Sequence, residues 1–158
     1  MKKLILMLAI ILSGNILHAQ FISFKASTGD TEMDRILTNV DVQARADINL
    51  FKNDITTSFN IVRSKIDQAI KILSPGDLFM AAQLSVSLNK PFETVVETYN
   101  KNKSRGWGAI AKDMGIKPGS PEFHAMKKSM KSKGSKSKDS GAEGKSKDKG
   151  GKGKGNKK

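Results

Sequence analysis

The chain has 158 residues, with 28 Lys and Arg against 15 Asp and Glu for a formal charge of +13, and no cysteine. The missing thiols exclude a disulfide framework, a cysteine-linked lipid anchor, thiolate metal sites and thiol catalysis, so any folded part rests on its apolar core. The charge is unevenly placed: residues 127–158 hold 13 lysines against three acids, two lysines open the chain, and residues 20–126 carry a net charge of about +1.

The first segment runs Lys2 and Lys3, an unbroken apolar stretch over residues 4–12, a polar break at Ser13, Gly14 and Asn15, then Leu17, His18, Ala19 and Gln20. A basic start, a short apolar run and a small residue at the cut define a cleavable secretory signal, read here as residues 1–19 with cleavage between Ala19 and Gln20. An uncleaved anchor is the competing reading. The apolar run falls well short of the roughly 20 residues that span a bilayer, so no transmembrane span is expected after cleavage. The expected location is periplasmic or secreted, which disfavours ATP-driven chemistry and gene regulation.

Residues 20–30 read as a loop, marked by Gly29 and Asp30. Over residues 31–73, Met33, Leu37, Val40, Ala44, Ile48, Phe51, Ile55, Phe59, Val62, Ile66, Ile70 and Leu73 recur every three or four positions. That spacing places them on one helical face and predicts one or two long amphipathic helices, with Thr31 as the N-cap and Asp34 three residues on. A strand over residues 55–62, rich in β-branched residues, is the alternative.

Residues 74–128 read as a small helical domain of short helices, each opened by a turn signal. Ser74-Pro75-Gly76-Asp77 precedes a helix over 78–88, Lys90-Pro91 one over 92–99, Gly106 one over 107–114, and Ser120-Pro121 one from 122 to about 130. Its expected core is Leu78, Phe79, Leu84, Leu88, Phe92, Val95, Val96, Tyr99, Trp107, Ile110 and Met114. From residue 129 to 158 the chain is Lys, Ser and Gly with a few acids, and lacks aromatic and branched aliphatic residues. Such a stretch cannot bury enough apolar surface to offset the ordering entropy, and it is predicted to be a disordered basic tail. The fold class is all-α: one or two long amphipathic N-terminal helices, a small bundle of short helices, and that tail.

Residues 99–124 contain a tyrosine, a basic loop, Gly106-Trp107-Gly108, then Ile110-Ala111-Lys112, Gly115-Ile116-Lys117-Pro118-Gly119-Ser120 and Phe123-His124. With Ser74-Pro75-Gly76-Asp77 and Lys90-Pro91, this pattern resembles a family of small exported bacterial helical proteins without an assigned activity. The resemblance covers roughly residues 50–126. It implies a shared helical domain and an exported location, and it transfers no catalytic residue.

The same segment is also similar to a helix-turn-helix, since Ile110, Ala111, Met114, Gly115 and Ile116 match that motif's first helix and turn. Pro118, Gly119 and Pro121 lengthen the turn, and Phe123 and Met126 depart from the spacing of a recognition helix. Tyr99, Lys101, Lys103, Arg105, Trp107, Lys112, Lys117 and His124 form a candidate binding patch, in which cations hold phosphate and the aromatics stack on a base or sugar. The plainer reading makes Tyr99 and Trp107 core anchors and the cations a wet face.

Catalytic signals are weak. His124 is the lone histidine after the leader, which cannot form a metal site by itself. Ser87-x-x-Lys90 has the spacing of acylating serine enzymes, but Ser135-x-x-Lys138 repeats it in the tail by composition alone. A carboxylate dyad from Asp77, Glu93, Glu97 or Glu122 would suit a cell-wall or glycan enzyme. No cofactor or metal is implied.

The tail lysines Lys127, Lys128, Lys131, Lys133, Lys136 and Lys138 lead a run suited to salt-sensitive attraction to polyanions. The function expected is that of an exported, non-enzymatic interaction module, tethered by this tail to an anionic envelope surface of lipopolysaccharide, anionic lipid or acidic glycan. A protein partner and a homo-oligomer fit the helical body, and nucleic-acid binding is the alternative.

Overall fold

A computed structural model describes residues 22–136, so the proposed leader and its cut, together with residues 137–158, lie outside the described residues. Among the described residues the fold is all-α, without strands. Its elements are α1 (Thr31–Ala46), α2 (Ile48–Phe59), α3 (Arg63–Ala69), α4 (Pro75–Ser87), α5 (Phe92–Asn102), a 3-10 turn (Lys103–Arg105), α6 (Gly106–Met114) and α7 (Pro121–Lys136).

Residues 31–73 form three helices where one or two were expected. Asp47 makes the first break, with an extended backbone (φ −144°, ψ 92°) that ends α1 while its carboxylate accepts the N–H groups of Asn49 and Leu50 to start α2. Asn60, left-handed at φ 54°, ends α2. The alternative strand over 55–62 is therefore replaced by helix through Phe59 and a turn. Apolar spacing continues across both breaks because each segment faces the same core; Val62, at the entry to α3, is the member that does not, being 62% exposed.

The N-cap of α1 is Asp30, one residue earlier than expected, accepting from the Met33 N–H at 2.9 Å. Asp34 instead takes the Thr28 N–H at 2.9 Å and hydroxyl at 2.6 Å. Residues 22–30 thereby become a strap laid over the helices. Arg45 donates to the Ile22 carbonyl at one end, and the Gly108 N–H donates to the Ser27 carbonyl further along.

Helix α4 is the axis of the fold, buried from Pro75 to Ser85 and contacted by α1, α2, α5 and α7. A helix apolar on nearly all sides is stable only when enclosed in this way. Leu78, Phe79, Met80, Ala81, Ala82 and Leu84 fill the centre, with Met33, Leu37 and Val40 from α1 and Phe51, Ile55 and Phe59 from α2 around them. Of the expected core, Leu88, Tyr99 and Met114 are only partly buried.

The boundary expected at residue 129 moves. Helix α7 continues to Lys136 and buries Met126 and Met130. Its polar residues face the body as well: the Ser129 hydroxyl donates to Gln83, and Lys133 lies 4.0 Å from the Phe59 ring centroid. Gly134 is required for the crossing with α1, because a Cβ there would sit 2.9 Å from Ile36 Cγ2. A single core joins α1, α4 and α7, so residues 31–73 and 74–128 do not pack as separate units.

Two outcomes follow from this packing. In Gly108→Ala the new Cβ would stand 2.3 Å from the backbone carbonyl oxygen of Thr28, which cannot rotate away. The variant is expected to lose about 1–3 kcal/mol of stability, read by thermal or urea unfolding. Lys127 holds Asp30 and Glu32 below their usual carboxylate values, Lys131 helps at Glu32, and both acids raise Lys127. The carboxylate contribution is complete above the unfolded values and lost as pH falls through the lowered folded ones. The lysine contribution is lost only at strongly alkaline pH. Methyl NMR signals of Met126 and Met130 should therefore hold steady through neutral pH and report a loosening α7 below pH ~4.

Candidate functional site

The first turn of α4 gathers the buried polar chemistry. Pro75 occupies the first helical position, where no N–H is needed, and the Ser74 hydroxyl caps the Asp77 N–H at 3.1 Å. Asp41 reaches across from α1 to accept the Gly76 N–H at 3.0 Å, and is itself held by Arg45 at 2.6 Å. The Asp77 carboxylate receives three donors: the Ser74 hydroxyl on Oδ2 at 2.5 Å, and the Trp107 Nε1–H and Tyr99 hydroxyl on Oδ1, each at 2.8 Å. The two rings stack with centroids 4.2 Å apart and planes 10° apart.

This arrangement corrects the aromatic half of the candidate patch. Trp107 is fully buried, so its ring is no platform for a base or sugar, and the partly buried Tyr99 ring has one face taken by the stack on Trp107. Gly106 and Gly108 flank Trp107 for a related reason. The strap passes so close that a Cβ at either would strike the backbone of Ser27 or Thr28, while the Ser27 hydroxyl accepts the Trp107 N–H. The Gly-Trp-Gly motif is thus a docking seat for the strap above and a core anchor below.

The cationic half remains at the surface. Lys101, Lys103, Arg105, Lys112 and Lys117 are all exposed, and Arg105 pairs with Asp113 at 2.6 Å. Arg105 and Lys112 line an open cleft of about 600 Å³ with the strap residues Thr28 and Asp30 and with Gly119 and Phe123. Lys101, Lys103 and Lys117 lie outside that lining. His124 is exposed, with its ring edge-on to Phe123 at 5.8 Å. Phe123 and Asp30 were not among the expected site residues. Their contribution arises from the strap folding over α6, which has no local sequence signal.

The leading tail lysines separate into two sets. Lys127 bridges Asp30 and Glu32, Lys131 pairs with Glu32, and Lys133 sits over Phe59, so these three anchor α7. Lys128 is exposed, Lys136 ends the helix, and Lys138 lies outside the described residues.

Catalytic arrangements do not assemble from the expected residues. The Ser87 hydroxyl accepts from Gln83, and Lys90 lies beyond the end of α4. Glu93 is held below the ordinary carboxylate range by Lys65, and Glu122 by its own backbone N–H and Ser120. A general acid needs the opposite displacement. Asp77 spends its lone pairs on Ser74, Tyr99 and Trp107. Among the described residues no group of three or more His, Asp or Glu could hold a metal ion, and no helix is long and apolar enough to cross a membrane.

A second surface feature is apolar. Val62, Ile72 and Val86 are 62%, 46% and 51% exposed, and they border two adjoining grooves that share Lys65, Phe92 and Glu93. The chain matches no family model, no curated protein and no solved structure.

The Asp77 cluster gives a direct optical test. Burial, then the neighbouring Asp77 charge, pushes the Tyr99 phenol above its ordinary value of 10.0. Since the chain has one tyrosine, the tyrosinate absorbance reports Tyr99 alone. A raised phenol contributes stability below its unfolded value that is lost as pH climbs, so ionisation should coincide with unfolding above pH ~10. Asp77→Ala leaves buried donors on Trp107, Tyr99 and Ser74 unpaired, and is expected to cost about 3 kcal/mol in urea unfolding.

Proposed function

We propose that this chain is an exported, non-enzymatic interaction module, tethered to an anionic surface of the envelope by its basic C-terminal stretch. The observation that carries the reading is the division of the lysines. Within α7, Lys127, Lys131 and Lys133 are committed to Asp30, Glu32 and Phe59, whereas residues 137–158 hold eight lysines against three acids in a stretch without aromatic or branched aliphatic residues. Lysine presents a compact charge on a flexible stem, which favours long-range attraction to polyanions over recognition of one geometry.

The anionic surface in question is lipopolysaccharide, anionic phospholipid or acidic glycan, as an exported chain would meet. The body supplies a contact face for a protein partner, supported by the exposed Val62, Ile72 and Val86 around Phe92. The leader supports export, and the engaged state of Asp77, Glu93 and Glu122 supports a role without catalysis.

The test compares residues 20–158 with residues 20–136 for binding to lipopolysaccharide, anionic vesicles and DNA across a salt series. The shorter chain ends after α7, because a cut at residue 128 would remove the buried Met130 and loosen the body itself. The longer chain should bind with affinity that falls steeply as salt rises, and the shorter one should lose most of that binding while keeping its helical content. Equal binding by the two chains would sink the tether.

A further inference from the structure

We infer that the cleft between the strap and α6 is a second anion site, separate from the C-terminal lysines, and that its ligand is an acidic saccharide: a sugar ring bearing a carboxylate or a phosphate. The open cleft spans about 600 Å³, within the usual range for small-ligand sites and enough for a short saccharide.

Its walls divide the work such a ligand demands. Arg105 and Lys112 supply positive charge on α6 and the turn before it. Arg105 uses Nη1 on Asp113, but both side chains are about half exposed. A pair so open to water is weak enough to yield to an incoming anion, and the guanidinium has further N–H donors to offer it. Lys112 adds a second charge within α6.

Asp30 contributes the acceptor. Its Oδ1 takes the Met33 N–H and its Oδ2 takes Lys127 at 2.9 Å, each leaving room for a further hydrogen bond from a sugar hydroxyl. The hydrogen bond from Lys127 holds this carboxyl below its ordinary value. Phe123 borders the cleft with a partly buried ring, an apolar surface of the kind that the C–H face of a pyranose covers. Gly119 leaves one side open, with no atom within 4 Å of the place a Cβ would take.

The combination favours a sparsely charged saccharide over a nucleic-acid strand. Base stacking on a strand would call on Trp107 and Tyr99, the strongest stacking rings in the chain, and these are engaged with each other. A sugar with one anionic group per ring can set that group on the cations and turn its hydroxyls toward Asp30.

The experiment is a backbone NMR titration of residues 20–158 with trigalacturonate, glucose 6-phosphate, maltotriose, inorganic phosphate and a short oligo-thymidine. The first two probes separate the carboxylate and phosphate sources. At least one of them should move the amide signals of Gly108, Lys112, Gly119 and Phe123. The double variant Arg105→Gln with Lys112→Gln, at exposed positions that leave the core intact, should weaken that binding about tenfold or more, which is ~1.4 kcal/mol. Phe123→Leu should weaken the sugar ligand and leave inorganic phosphate unchanged. Replacing the lysines of residues 137–158 by glutamine should leave the cleft response in place, so the tether can fail without the cleft failing. Shifts confined to the C-terminal lysines, equal binding of maltotriose, tighter binding of oligo-thymidine at the cleft, or no response from either acidic sugar would each overturn the assignment.

Discussion

The Asp77 carboxylate is the constraint on which the rest of the structure depends. A charge this deeply enclosed is costly unless each oxygen is well satisfied, and here a serine, a tyrosine and a tryptophan converge on it while its own backbone N–H is capped. Those partners come from the start of α4, from α5 and from α6. One side chain therefore fixes how three helices meet. Asp41 extends the arrangement to α1 by capping the same helix end. The stacked rings bring large apolar surfaces into the core only because their polar ends find this partner.

Charge plays a different part along α7. Helix α7 is poor in apolar residues, yet two methionines, one serine and two lysines of its inner face meet complementary groups on α1 and α4. The ion pairs among Asp30, Glu32, Lys127 and Lys131 are open to water and each contributes modestly, whereas burying Met126 and Met130 stabilises the helix more. The ion pairs fix the register of the helix on α1. The methionines hold it there.

Much of this was legible in the sequence and some was not, for physical reasons. Apolar spacing over residues 31–73 identified the buried face correctly at Met33, Leu37, Val40, Phe51, Ile55 and Ile66, since periodicity survives a change in helix direction. It could not reveal the breaks at Asp47 and Asn60, where a polar residue serves equally well mid-helix or as a cap. The turn signals at Ser74-Pro75, Lys90-Pro91, Gly106 and Ser120-Pro121 marked four helix starts, because proline and capping chemistry act locally. Composition misjudged residues 129–136: lysine, serine and glycine look unstructured until a partner surface supplies the burial that the segment lacks. The cleft was half visible. Arg105 and Lys112 stood out as charges, whereas Thr28 and Asp30 join them only through a tertiary contact between segments far apart in the chain.

That separation has a consequence for how the chain reaches its final form. The strap meets α6, since Ser27 binds Trp107 and Gly108, and the N-cap of α1 meets α7, since Asp30 binds Lys127. The first and last of the described segments thus meet across most of the described length. A helical protein usually folds from local contacts as it emerges, but here the closing contacts are among the most distant ones. During synthesis these closing contacts can form only after α7 has been made, whereas the packing of α1 on α4 needs no residue beyond Ser87.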